Sequence, residues 1–274
     1  MTAAGAPAPG AGRRRFVAPP RSAVRASVFE HPLYRALGGF EDLLVRPDWP
    51  GVAALNDRLA VQAKTFVEQD DALLADGLHY EARIALRGQI ATRACSWHDL
   101  FNALVWARYP AIKQALNARQ CEDLATLGPA VRSRAQAALT QFDENGVIVR
   151  VRDPALLAAW DAHAWPQWFA PAAWADGGTA VAAVVGHALL EQGLAPGRLL
   201  VGKCLVVVGE DDDAAVATVA RAIAEGRALR DPLALRPLPL AGIPGWQHGR
   251  VDFATQGDYY RPLRAGRTYP PPVA

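Results

Sequence analysis

Apolar residues recur at helical spacing in some stretches of this chain and at alternate positions in others, and these two periods divide it into elements. Val52, Leu55, Leu59 and Ala63 share one face of a helix whose other face carries Asn56, Asp57, Arg58 and Gln62. Tyr80, Ala82, Ile84 and Leu86 alternate with Glu81, Arg83 and Arg87. Gly88 then offers a turn and Ile90 and Thr92 resume the pattern, which predicts a half-buried hairpin. Ser96 is placed to cap the next helix with Asp99 at its third position, and Trp97, Leu100, Phe101, Leu104 and Val105 give that helix a wide apolar stripe. Beyond Pro110 a second helix carries Ile112, Ala115, Leu116, Leu124 and Leu127, with Gly128 as its stop and Pro129 as a new start. Val131, Ala135, Ala138, Leu139 and Phe142 keep the cleanest helical period.

Asp143 to Gly146 (DENG) reads as a turn and Val147 to Val151 as a short strand. Asp153 and Pro154 open a helix to about His163, and Thr179 to Gln192 reads as one apolar helix stopped by Gly193. Leu199 to Val208 is apolar at successive positions, which predicts a central strand covered on both faces. Asp211 to Asp213 start a helix bearing Val216, Val219, Ala220 and Ile223, and from Asp231 the chain becomes a Pro-rich wrap. The expected fold is therefore mixed α/β (α+β). It comprises a single globular domain over residues 27–264, with an N-terminal hairpin, several amphipathic helices and a buried central strand. A disordered arm (1–26) precedes it and a flexible Pro-rich tail (265–274) follows.

With 274 residues, 51% hydrophobic and 20% charged, the chain is long enough for one large core. Its 29 basic residues nearly balance 27 acidic ones, so the net charge of +2 supplies no global field for nucleic acid or an anionic membrane. Only three of the 29 are lysines (Lys64, Lys113, Lys203), a bias that fits a GC-rich bacterial genome. Cys95, Cys121 and Cys204 form no CxxC pair and read as buried free thiols in a reducing compartment. Arg13 to Val17 (RRRFV) echoes a twin-arginine signal, but Pro19, Pro20, Arg21 and Arg25 interrupt what would be its apolar region. No apolar run approaches the roughly 18 residues of a membrane span, so a soluble, cytoplasmic protein is expected.

Chemistry concentrates at two places. His98, second in its helix, sits at the positive end of the macrodipole, which predicts a neutral ring available as ligand or base; Asp99, Asn102 and Trp106 follow beside it. His187 and Glu191 lie one helical turn apart as an HxxxE pair. Under an enzymatic reading His98, Asp99 and Asn102 are the catalytic group, as base, orienting residue and substrate anchor. His98, His187 and Glu191 then hold a divalent metal, with hydrolysis of a small polar substrate as the natural chemistry. The competing reading is a non-catalytic scaffold. There the polar cluster locks the hairpin to the helices, and a Trp-rich surface docks a partner. Lys203 interrupts an apolar strand and either snorkels to solvent or reaches a cavity. Arg83, Arg87, Arg93, Lys113 and Arg119 read as a solvated face or an anion site. Neither substrate nor partner is specified, and nucleic acid is disfavoured.

The blocks YEARI, Gly88, Thr92-Arg93, Trp97-His98-Asp99, Phe101-Asn102-Ala103-Leu104, Trp106, Pro110, Lys113 and Leu116-Asn117 resemble the bacterial family known as domain of unknown function 3025. Phe142-Asp143-Glu144-Asn145-Gly146, Gly186-His187-Ala188-Leu189-Leu190-Glu191 and Gly242-Ile243-Pro244-Gly245-Trp246 are similar to its later blocks. The resemblance covers residues about 30 to 250 and implies no activity. The chain departs from the family pattern at Gly202-Lys203, where a small residue followed by His is expected. It departs again near Trp246, where Gln247, His248 and Arg250 replace an acidic stretch.

Overall fold

A computed structural model of the chain describes residues 16–128, 131–247 and 252–274. Most of the expected arm, the Pro129 start, His248 and Arg250 lie outside the described residues. The first half is helical: α1 (Pro32–Arg35), α2 (Glu41–Val45), α3 (Val52–Leu59), β1 (Thr65–Glu68), α4 (Asp71–Leu74), α5 (Tyr80–Arg87), β2 (Gln89–Thr92), α6 (Trp97–Arg108), α7 (Pro110–Leu127) and α8 (Arg134–Asn145). The second half alternates: β3 (Gly146–Val151), α9 (Leu156–Asp161), α10 (Trp165–Trp168), α11 (Pro171–Trp174), β4 (Thr179–Val184), α12 (His187–Gln192), β5 (Val201–Val208), α13 (Asp212–Ala224) and β6 (Arg236–Pro239). The mixed α/β class is as the sequence predicts. The strands form a two-stranded parallel sheet, β1-β2, and a four-stranded sheet in the order β4-β3-β5-β6.

The larger sheet is the core. β3 runs parallel to β5 and antiparallel to β4, and all six of its residues are buried. Successive residues of a strand point to opposite faces, so both faces of β3 are covered. Val147, Ile148, Val149 and Val151 are fully buried, each contributing roughly 1.5–3 kcal/mol. Arg150, the one charge in β3, is buried against Asp212 at 2.6 Å and donates to the Gly177 carbonyl at 3.0 Å. The same core includes Trp160 and Trp168, stacked with centroids 4.4 Å apart and both fully buried. Trp160, Trp165 and Trp168 are thus interior, which removes these three from the Trp-rich docking surface of the scaffold reading.

Three expectations are corrected. The predicted N-terminal hairpin is instead helix α5 followed by strand β2, and β2 pairs in parallel with β1. The alternation in Tyr80–Arg87 misleads because Leu86 is 74% exposed while Arg83 is 1% exposed, so the buried face follows the helical period through Arg83 and Ile84. Ala, Glu, Arg and Leu are strong helix formers, and Gly88, at φ +66°, is the helix stop rather than a hairpin turn. The apolar helix expected over Thr179–Gln192 splits into β4 and α12. Val181 and Val184 suit a pleated strand, and Gly186 separates the two elements. The DENG turn is the last turn of α8, running directly into β3.

The ends also engage the domain. Arg21, within the stretch expected as a free arm, is buried and donates to the Leu43 and Arg46 carbonyls. Val273, in the expected tail, donates to the Val206 carbonyl at 2.7 Å. The five cations considered as an anion site are dispersed among acids: Arg83 and Arg87 on Asp76, Arg93 on Asp99, Lys113 on Asp143 and Arg119 on Glu122. Of the thiols, Cys204 is buried but Cys95 is exposed. Lys203 is half-buried, opposite Pro237 and Gly146, and burial lowers its pKa. Among the described residues no helix is long and apolar enough to cross a membrane.

Candidate metal centre

Three helix ends meet beside the main sheet. Ser96 Oγ accepts from the Asp99 N–H at 3.2 Å and starts α6, which fixes His98 in its first turn. A capping box begins α8: Ser133 Oγ accepts from Gln136 N and Gln136 Oε1 accepts from Ser133 N, each at 2.9 Å. That helix continues through Asp143 and Glu144 to Asn145. The carbonyl of Gly146 then accepts from both Val185 N and Gly186 N at 2.9 Å, so the chain leaving β4 is pressed against the end of α8. A Cβ on Gly186 would lie 2.5 Å from Asn145 Cα, and only glycine allows that approach. The crossing delivers His187, the first residue of α12, to Glu144.

The two imidazoles are in contact. His98 Nε2 lies 3.0 Å from His187 Nε2, and Glu144 Oε2 lies 3.8 Å from His187 Nε2. One donor atom each from His98, Glu144 and His187 falls within a span of 4.8 Å. Behind the rings stand further carboxylates: Glu191 Oε2 at 3.2 Å from His98 Nδ1, and Asp143 Oδ2 at 3.9 Å from His187 Nδ1. Asp143 is itself held by Lys113 Nζ at 2.5 Å, and that ammonium sits 5.5 Å from the centre of the Trp106 ring.

These surroundings drive the two histidines apart. Burial works against a charge on His98, yet the Glu191 hydrogen bond and the charges of Glu144, Glu191 and Asp99 outweigh it and raise its pKa. The carboxylates thus act against the helix-dipole effect expected from the sequence, which favours the neutral ring. His187 is pushed down to about 3, mainly by burial and further by Lys113 and His98, so its ring is neutral. The facing Nε2 atoms share one hydrogen between them, and the neutral His187 ring is able to accept it. Burial alone would raise Asp143, but the Lys113 ammonium above all holds it below the usual carboxylate range.

Of the residues singled out from sequence, His98, His187 and Glu191 come together. Asp99 and Asn102 do not face them. The Asp99 carboxylate is taken up by Arg93, accepting from its backbone N (3.0 Å), Nε (2.7 Å) and Nη2 (3.1 Å). Asn102 donates to Tyr80 Oη at 2.9 Å, and Trp106 is core. Sequence reasoning missed Glu144, Asp143 and Lys113 as members of the cluster. The signal was present: Leu139, Phe142 and Asp143 extend the helical period, and only the turn-like composition of DENG masked it.

A family model described as a protein of unknown function, DUF3025, matches residues 64–264. The chain belongs to that family. Every residue of the cluster lies within the matched span, as do the Gly146 and Gly186 carriers of the crossing. Neither a curated protein nor a solved structure matches the chain.

Beyond Lys113 the contact between α5 and α7 encloses a second buried acid. Glu81 accepts from Asn117 Nδ2 at 2.6 Å, beside a cavity of about 10 Å³ lined by Tyr80, Trp106, Lys113 and Asp143, which is the size of one water. Burial raises the Glu81 pKa to about 7, with Asp143 adding to the rise and Asn117 and Lys113 opposing it. A carboxyl raised in the folded state contributes stability fully below its unfolded value near 4.5, and that contribution is lost as pH rises through 7. Glu81→Gln should therefore match the wild type near pH 4 and exceed it by up to roughly 3 kcal/mol at pH 8. Melting curves across that range check this, and a variant less stable at pH 8 than at pH 4 relative to wild type contradicts it.

Proposed function

We propose that this protein is metal-dependent, holding one zinc-class divalent ion on His98 Nε2, His187 Nε2 and Glu144 Oε2. The single observation that carries this reading is the spacing of those atoms. Ligands about 2.1 Å from a tetrahedral ion are about 3.4 Å from one another, and the separations of 3.0 and 3.8 Å bracket that figure. The outer carboxylates strengthen the case. An imidazole bound through Nε2 needs its Nδ1–H held by an acceptor; Glu191 stands at that position for His98, while the buried His187 Nδ1 has no hydrogen-bond partner among the described residues and Asp143 Oδ2 lies 3.9 Å from it. Glu191, a ligand on spacing alone, is in this reading the group that orients His98.

Three protein ligands leave a fourth position for water, whose pKa a bound zinc lowers toward 7. Hydrolysis of a small polar substrate is the reaction class that follows. Glu144, His98 and Glu191 are all only partly buried, so the centre is reachable from solvent. Asp99 and Asn102 serve in this reading as supports: Asp99 fastens the start of α6 to Arg93, and Asn102 fastens α6 to Tyr80. A scaffold reading draws on the same two bonds and predicts no metal.

Elemental analysis of the purified protein separates the two. One equivalent of zinc, manganese, iron or cobalt per chain is expected, removable by chelator and restored by dialysis. Absence of a stoichiometric ion, together with no saturable zinc binding by calorimetry, would overturn the proposal. Glu191→Gln, which keeps shape but weakens the hold on Nδ1, should reduce affinity about 10- to 100-fold.

A further inference from the structure

On the other side of β3 from β5, the sheet ends at β4, whose outer edge has no neighbouring strand among the described residues. A groove of about 560 Å³ lies there. Thr179, Ala180, Val181 and Ala182 all line it. Successive residues of a strand face opposite sides, so a hollow touched by four in a row runs along the strand's edge and not over one face. Such an edge presents backbone N–H and C=O groups ready to pair with another extended chain. β4 carries no charge and no proline, the usual devices that discourage pairing. Its one irregularity is a bulge: Ile148 pairs with Ala183 and Val149 with Val181, leaving Ala182 as the extra residue. Regular pairing is therefore offered from Ala180 and Val181, both part-exposed, while Thr179 is buried at the closed end of this short docking strand.

The opposite wall supplies the rest of the recognition chemistry. It includes Trp174 and Trp246, both part-exposed, and Arg35 and Arg108, both exposed. These arginines are the only charges lining the groove; no acidic residue does, and neither guanidinium forms an ion pair among the described residues. Arg108 rests over the Tyr109 ring, 5.3 Å from its centre, which holds it at the rim. A second copy of this chain is the wrong occupant, because pairing β4 with β4 would bring four arginines together without a counter-charge.

We propose that the β4 edge is a peptide-docking site, taking an extended segment of a partner protein as an added strand, with acidic side chains on Arg35 and Arg108 and apolar ones against Trp174 and Trp246. This is strand addition, in which backbone bonds give affinity and the flanking side chains give selectivity. It is independent of the metal centre and stands or falls without it.

The test pans a random dodecapeptide display library on the full-length protein, then measures the enriched peptides as synthetic, end-blocked ligands by calorimetry. Enriched sequences should alternate β-branched or aromatic residues with Asp or Glu. Binding should weaken at least tenfold in the Arg35→Glu, Arg108→Glu double variant. Both side chains are solvent-exposed, and an unchanged melting temperature would verify that the variant is folded. Methylating the peptide backbone nitrogen at each position in turn gives a second readout that needs no variant: loss of binding at alternate positions only, the signature of a paired strand. Four results would overturn the proposal. They are no peptide enriched above background, enrichment of basic or unpatterned sequences, binding unaffected by the charge reversal, or uniform tolerance of N-methylation. A self-associating protein whose dimer blocks the peptide would assign the edge to a second copy instead.

Discussion

Replacing His187 by alanine is expected to lower zinc affinity more than about 100-fold. Removing an outer partner of a metal-bound histidine already costs 10- to 100-fold, and a direct ligand should exceed that. Titration calorimetry on chelator-treated protein measures it. The fold should survive, since α12 is also anchored by the buried Leu189 and Leu190, so circular dichroism of the variant should retain the wild-type spectrum. His98→Ala and Glu144→Ala should behave alike, whereas Asp99→Asn should leave zinc affinity within a few-fold of wild type, because Asp99 is engaged with Arg93. A His187→Ala protein that binds zinc as tightly as wild type would remove this residue from the centre, and with it the proposed ion.

Gly186→Ala is expected to be strongly damaging, because the clash is with backbone on three atoms at once. The added carbon would stand 2.5 Å from Asn145 Cα, 2.6 Å from its carbonyl carbon and 2.6 Å from Gly146 N, all backbone atoms that cannot swing away. Relieving the clash requires moving α12 off the end of α8, which breaks the paired hydrogen bonds to the Gly146 carbonyl. A destabilisation of about 4 kcal/mol or more, the range reserved for buried steric conflict, should follow, with loss of metal binding in whatever fraction folds. Gly209→Ala is the control: the added methyl would meet nothing within 4 Å, and stability should change by less than about 0.5 kcal/mol. Equal melting temperatures for the two variants would show that the crossing tolerates separation.

Where the sequence was legible, one signal dominated its neighbours. The runs Val147–Val151 and Leu199–Val208 are apolar at successive positions and flanked by turn or helix signals, and both are central strands. Ser96 caps α6 as its spacing to Asp99 predicts, which places His98 in the first turn, and the HxxxE spacing located His187 and Glu191. Elsewhere two signals conflicted. In Tyr80–Arg87 an accidental alternation of period two competed with strong helix formers, and the helix formers prevailed once Arg83 found Asp76 and the Leu73 carbonyl inside. In Thr179–Gln192 the continuous apolar run read as one helix, but pairing with β3 makes Thr179–Val184 a strand and leaves only His187–Gln192 helical. Glu144 was masked for a different reason: the turn-like composition around it competes with the helical period that carries α8 through Asn145. No spacing rule links His98, Glu144 and His187, because their proximity arises from three elements that are distant in sequence.

The position of β3 has a consequence for biosynthesis. Both of its neighbours, β4 and β5, come later in the chain. While the ribosome is still making the segment up to Val208, an emerged and almost wholly apolar strand has nothing to pair with, and its backbone groups and valines are open to any other sticky chain nearby. Nascent protein halted in that interval should be a strong client for holding chaperones, and release from them should coincide with the emergence of β5.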